Sequence, residues 1–97
     1  MNYIVEQTEA FAKWHYSLRD LRAKTAIARR IERAENGNLG DIKSIGNDVS
    51  EMRVNVGAGY RVYFTLRGGL FVILLAGGDK STQQMDIKRA IKLAGEI

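Results

Sequence analysis

Apolar positions along the chain change their period twice, and each change marks an element. Residues 3–7, Tyr-Ile-Val-Glu-Gln, begin with strand-favouring side chains and stop at Thr8, a residue type that caps helices. They predict a short first strand. From Glu9 onwards Phe11, Trp14, Leu18 and Leu21 recur at steps of three and four, the spacing of one helical face. Ile27, Ala28, Ile31 and Ala34 continue that spacing to Asn36-Gly37, a helix stop. A break near Ser17 to Arg19, with Asp20 as the next cap, divides the stretch into two helices, an αα-hairpin with its basic residues on the outer surface.

Residues 37–50 are rich in Gly, Asn and Asp and read as a loop returning to a sheet. The period then becomes two. In Glu51 to Val56 the residues Met52, Val54 and Val56 alternate with Glu51, Arg53 and Asn55; in Tyr60 to Arg67 the residues Tyr60, Val62, Phe64 and Leu66 alternate with Arg61, Tyr63, Thr65 and Arg67. A three-residue turn, Gly57-Ala58-Gly59, pairs Val56 with Tyr60, Asn55 with Arg61 and Arg53 with Tyr63. A two-residue turn, Gly68-Gly69, pairs Leu66 with Phe71, Phe64 with Ile73 and Val62 with Leu75, which adds Phe71, Ile73 and Leu75 to the apolar face. Leu70, Val72, Leu74 and Ala76 are apolar too, so the last strand is buried on both sides or covered by a partner. Ser81 and Gln84 form a capping box for a final helix through Met85, Ile87, Ala90, Ile91 and Ala94. The predicted class is α+β in the order β-α-α-β-β-β-α: an antiparallel central sheet packed against an N-terminal helical hairpin, with a C-terminal helix.

Composition narrows the function classes. A length of 97 residues fits a single domain over 1–97, and 45% hydrophobic with 27% charged residues is the balance of a folded, soluble protein. There is no cysteine, which excludes disulfides, thiolate catalysis and cysteine-ligated zinc. The longest apolar run, Leu70 to Ala76, is far short of the roughly 20 residues of a membrane span, and the N-terminus lacks the form of a signal peptide. An intracellular location, with no membrane partner, is the expectation. The formal net charge is +4. Between Lys13 and Arg33 seven basic residues face two acidic ones, a local +5, so the remaining chain is close to neutral. Such a stretch suits nucleic acid, an acidic protein or an anionic surface, and a solvated helical face explains it equally well.

The alternation places Glu51, Arg53, Arg61, Tyr63, Thr65 and Arg67 on one polar surface, with Lys80 arriving from the following loop and Lys43 at the rim. Guanidinium groups grip phosphate oxygens bidentately and an aromatic ring stacks on a base, so this surface suits a phosphodiester. The competing reading is the ordinary solvated face of an antiparallel sheet. The single histidine, His15, lies beside Trp14 on the first helix, away from the arginines. No carboxylates show metal-ligand spacing, and Asp41, Asp48 and Asp79 read as turn formers. Any enzyme reading is therefore metal-independent and needs no cofactor.

The runs Gly37-Asn38-Leu39-Gly40-Asp41-Ile42-Lys43, Val49-Ser50-Glu51-Met52-Arg53, Gly59-Tyr60-Arg61-Val62-Tyr63-Phe64 and Leu74-Leu75-Ala76-Gly77-Gly78-Asp79-Lys80 together resemble the RelE/ParE toxin superfamily, and within it the HigB-like addiction module killer proteins. The likeness covers nearly the whole chain. It implies a RelE-like small domain, the toxin of a type II toxin–antitoxin pair, cleaving messenger RNA on the ribosome until a cognate antitoxin occludes it. That antitoxin would carry a helix-turn-helix domain, so operator DNA is a partner only through the complex. In such proteins the ribose 2′-OH attacks the adjacent phosphate and basic side chains stabilise the developing charge. The resemblance makes Arg61 the phosphate-binding residue, with Arg53 and Lys80 beside it, and Glu51 or Tyr63 in proton transfer. Lys43, Tyr63 and Arg67 are the expected RNA contacts. Several relatives use a tyrosine or histidine near the C-terminus; here neither follows Tyr63. Two other readings stand beside the nuclease, a ParE-like gyrase inhibitor without catalysis and a non-toxic basic interaction module. In each, apolar surface on the last strand and the helices awaits a partner.

Overall fold

A computed structural model describes residues 2–97 as β1 (Ile4–Gln7), α1 (Glu9–Ser17), α2 (Leu21–Glu35), β2 (Ile42–Gly46), β3 (Val49–Val54), β4 (Tyr60–Arg67), β5 (Phe71–Gly78), a 3₁₀ turn (Lys80–Thr82) and α3 (Gln83–Glu96). Both predicted caps form. Thr8 accepts from the Phe11 amide at 3.1 Å and Asp20 from the Ala23 amide at 3.1 Å, each relieving a donor that the first helical turn leaves unpaired. Thr8 Oγ1 also donates to the Leu75 carbonyl at 2.7 Å and so fastens the start of α1 to the sheet.

The sheet order is β1-β5-β4-β3-β2. It is mixed rather than wholly antiparallel, because β1 runs parallel to β5 from Ile4 opposite Phe71 to Gln7 opposite Leu74. The expected loop over residues 37–50 contains a strand. β2 turns back on β3 through Asn47 and Asp48, both with positive φ (52° and 61°), and pairs Lys43 with Glu51. This edge strand lacks an alternating pattern because Ile45 alone among its side chains packs inward.

Both hairpin registers differ from expectation. β3 ends at Val54, the turn takes residues 55–59, and Arg53 stands opposite Arg61 with Glu51 opposite Tyr63. The shift is by two residues, so every side chain keeps its predicted face. The β4–β5 turn instead takes in Leu70, whose amide donates to the Arg67 carbonyl at 3.1 Å, and a bulge follows between Tyr63 and Phe64. This one-residue slip inverts the strand: Val72 and Leu74, not Phe71, Ile73 and Leu75, join Val62 and Phe64.

The sheet is buried on two sides. Phe11 and Ile27 of the hairpin cover Met52, Val62, Phe64 and Leu74, while Ala90 and Ala94 of α3 cover Val49, Tyr63, Leu75 and Ala76. Burial of each large side chain is worth about 1.5–3 kcal/mol. From Val72 onwards the doubly apolar β5 is thus covered by its own chain, and only Phe71 at its start is exposed. Leu21 and Met85, counted in the helical stripes, are exposed. The Ser81–Gln84 capping box does not form, because Asp79 takes the Ser81 amide at 2.8 Å and starts a 3₁₀ turn in its place.

Candidate functional site

Glu51 stands at the centre of the polar face of β3, only 3% exposed. Three groups reach its carboxylate. Arg53 Nε donates to Oε1 at 3.3 Å, Gln83 Nε2 at the start of α3 donates to Oε2 at 3.2 Å, and Arg61 Nε forms an ion pair with Oε2 at 3.4 Å. Arg61 Nη1 also donates to the Gly59 carbonyl at 3.0 Å. The arginine side chains are 34% and 13% exposed for Arg53 and Arg61. Arg53 is held through Nε, the nitrogen nearest the stem, and no hydrogen bond among the described residues engages its terminal nitrogens, whereas the buried Arg61 Nε meets Glu51 as an ion pair without a hydrogen bond. A fork anchored at its base presents its outer edge in the geometry that accepts an oxyanion.

The fold assembles this cluster from five elements, β2, β3, β4, the 3₁₀ turn and α3. The register sets Arg53 beside Arg61 and Lys43 beside Glu51. α3 covers the lower half of the same face and ends its cover where Gln83 meets Glu51, so the cluster lies at the helix end that favours anions. Lys80 lays its stem across Gly59, where an added Cβ would sit 2.8 Å from Lys80 Cε and where φ is +78°. Gly59 is therefore fixed both by its backbone conformation and by the lysine above it.

Two expected contacts fall outside the cluster. Tyr63 is fully buried, so it offers no ring for a base; burial pushes its phenol up to about 12, with Glu51 and Asp86 adding to the rise and Arg61 opposing it. Its hydroxyl has no hydrogen-bond partner. Arg67 donates to the Ala94 carbonyl at 2.7 Å and to the Ile97 carbonyl at 3.2 Å, closing the C-terminus of α3. It lies six residues along β4 from Arg61, about 20 Å away. Thr65 is buried as well and donates to the Asp48 carbonyl at 2.7 Å. The polar alternation thus marks a face only half open to solvent.

His15 joins the two helices: Nε2 lies 3.0 Å from the Lys24 carbonyl and the ring stacks on Phe11 with centroids 5.7 Å apart. Among the described residues no three His, Cys, Asp or Glu side chains gather as metal ligands. Two residues beyond the expected set matter. Gln83 carries the signal of a polar residue opening a helix three positions after Lys80. Arg30 was one of the basic residues expected on the outer surface, yet it turns inward and donates to the carbonyls of Arg53, Leu39 and Asp41, the last two at 3.1 and 3.2 Å. It thereby fixes the backbone behind Arg53 and the approach to Lys43.

Comparison with known proteins places this geometry in context. The family model for phage-derived Gp49-like proteins (DUF891) matches residues 17–96. A protein of Haemophilus influenzae described as uncharacterised is 48% identical over 97 residues, covering 100% of this chain and 98% of the relative. Among solved structures, a double arginine-to-alanine variant of the Escherichia coli toxin RelE in the free state superposes with a TM-score of 0.74 at 18% identity, over 95% of this chain and 97% of that one. A chain of the intact E. coli RelBE toxin–antitoxin complex superposes with a TM-score of 0.60 at 18% identity, over 79% of this chain and 95% of that one.

Proposed function

This chain belongs to the phage-derived Gp49-like family and has the RelE fold, and from that premise we propose that it is the toxin of a toxin–antitoxin pair, a metal-independent endoribonuclease that cuts messenger RNA on the ribosome in the manner of HigB-like proteins. The observation that carries the reading is the Glu51 carboxylate lying against both arginines, hydrogen-bonded to Arg53 and ion-paired with Arg61. Fixed cations aimed at one point stabilise the extra negative charge of a phosphorane as the ribose 2′-oxygen adds to phosphorus and the 5′-oxygen leaves. Arg61 binds the reacting phosphate, Arg53 supports it, Lys80 meets the leaving oxygen, and Lys43 holds the RNA backbone from β2. Glu51 positions the pair; with its oxygens committed to two donors and an ion pair it is not the proton acceptor. No Tyr or His follows Tyr63, so the rate gain rests on electrostatics, for which the loss of one such cation costs about 10²–10³-fold. An antitoxin, with a helix-turn-helix domain that carries the complex to operator DNA, neutralises the toxin in the cytoplasm.

The test is a reconstituted translation reaction with messenger RNA 5′ ends mapped by primer extension. New ends in register with codons, absent without ribosomes and lost in Arg61→Ala, are expected. Intact messenger RNA with normal translation overturns the reading, and a block of gyrase supercoiling in a parallel assay would then identify a ParE-like inhibitor.

A further inference from the structure

A groove of about 220 Å³ runs between α2 and the end of β3, on the face of the sheet opposite the Glu51 cluster. Its floor is apolar, made by Ala26, Val54 and Val56, and its rim carries Arg29, Arg30 and Arg33. No acidic residue lines it. Arg29 and Arg33 are exposed, stand one helical turn apart, and take part in none of the ion pairs among the described residues. Like charges at that spacing repel, so the isolated chain keeps a cost that a carboxylate would remove. Arg30 is already committed to three backbone carbonyls and shapes the wall.

We propose that this groove docks an acidic protein segment, which sets one apolar side chain on the Ala26–Val54–Val56 floor between carboxylates paired with Arg29 and Arg33. The volume is below the about 300–1,000 Å³ of small-molecule pockets but accepts a side chain. The lining has no aromatic ring on which a base could stack, and an apolar floor offers a phosphodiester nothing, so the lining favours protein over RNA. Arginine pairs with carboxylates bidentately, which gives orientation as well as attraction. Arg30 links the groove to the cluster, because its guanidinium donates to the carbonyl of Arg53, the neighbour of Val54. An occupant therefore packs on Val54, next in sequence to Arg53 and on the opposite face of the sheet. Naming the antitoxin as the source of the segment rests on the toxin reading; the docking site itself does not.

The experiment selects a displayed random peptide library on the full-length chain, with counter-selection on Arg29→Glu/Arg33→Glu. Two checks accompany it: Asn55→Trp, which plugs the rim from an exposed position without altering charge, and a 20-nucleotide single-stranded RNA. The expected result is enrichment of acidic peptides carrying an apolar residue, with affinity at least tenfold weaker for both variants at unchanged Tm. Peptides without carboxylates, or peptides that bind the variants equally, overturn the proposal. Loss of RNA binding in the charge-reversed variant with no acidic peptide selected also overturns it and assigns the surface to RNA. Groove-dependent peptide binding in a chain that cleaves no messenger RNA would sink the toxin reading alone, and cleavage without such binding would sink the docking site alone.

Discussion

Arg53 and Arg61 stand directly opposite each other on adjacent strands, a placement that costs stability for two like charges unless something lies between them. Glu51 is that element, 3.3 Å from one Nε and 3.4 Å from the other. Glu51→Ala should therefore leave two poorly solvated cations facing each other. The expected loss is about 2 kcal/mol, on the order of 10 °C in Tm for a chain of this size, measured by thermal unfolding. Adding Arg53→Ala to Glu51→Ala should recover part of that loss, and a double variant as unstable as the sum of the singles would show that the three residues are not coupled.

Tyr63 makes alkaline stability informative. Its folded-state value of about 12 lies above the ordinary 10.0, so the folded protein favours the neutral phenol. A group raised in this way contributes stability fully below pH 10, and the contribution is lost as pH rises from there to about 12, where the unfolded chain ionises first. A difference of about two pH units corresponds to on the order of 2–3 kcal/mol. Tyr63→Phe should flatten that alkaline loss in urea titrations between pH 8 and pH 12. At pH 7 it should cost under about 1 kcal/mol, since the hydroxyl it removes is buried without a partner.

Gly77 faces the indole of Trp14, and a Cβ added there would lie 2.2 Å from ring carbon Cζ3. Gly77→Ala should displace the ring from its 6.4 Å contact with Tyr60 and destabilise the protein by about 1–3 kcal/mol. Tryptophan fluorescence reports the displacement directly. An unshifted emission spectrum with unchanged Tm would contradict the packing.

Arg67→Ala removes two donors from the last carbonyls of α3. About 1 kcal/mol of stability should go, with faster amide exchange confined to the end of the helix. Messenger RNA cleavage should be unaffected, because the residue is a closing bolt for α3 and not part of the arginine cluster. A cleavage defect as deep as that of Arg61→Ala would return Arg67 to the site.

What could be read from the sequence was what neighbouring residues decide. Thr8 and Asp20 cap their helices where they stand, and the alternation of β3 and β4 gave the correct faces because the register error there was even. The β4–β5 pairing was not legible, since Leu70 joins a turn that two glycines could have closed alone and the bulge after Tyr63 has no local mark. β2 escaped notice because an edge strand with one inward side chain carries no period. At the site, Glu51, Arg53 and Arg61 share a face visible in the alternation, while Lys43 and Lys80 could be placed only as loop residues at its rim. The burial of Tyr63 depends on where α3 lands, and Arg30 looks like its outward-facing neighbours until the carbonyls it serves are in place.

The pairing of β1 with β5 sets the order of events when the chain is made. Thr8 and Leu75 are 67 positions apart, and Ile4 meets Phe71 in register. The sheet cannot close while its fifth strand is still being synthesised, and contacts at such separation slow folding as well. Glu51 acquires its Gln83 ligand later still, from a helix that follows every strand. A chain that stops between Arg61 and Gln83 carries Glu51 and both arginines but lacks the side-chain amide that fixes the carboxylate from α3.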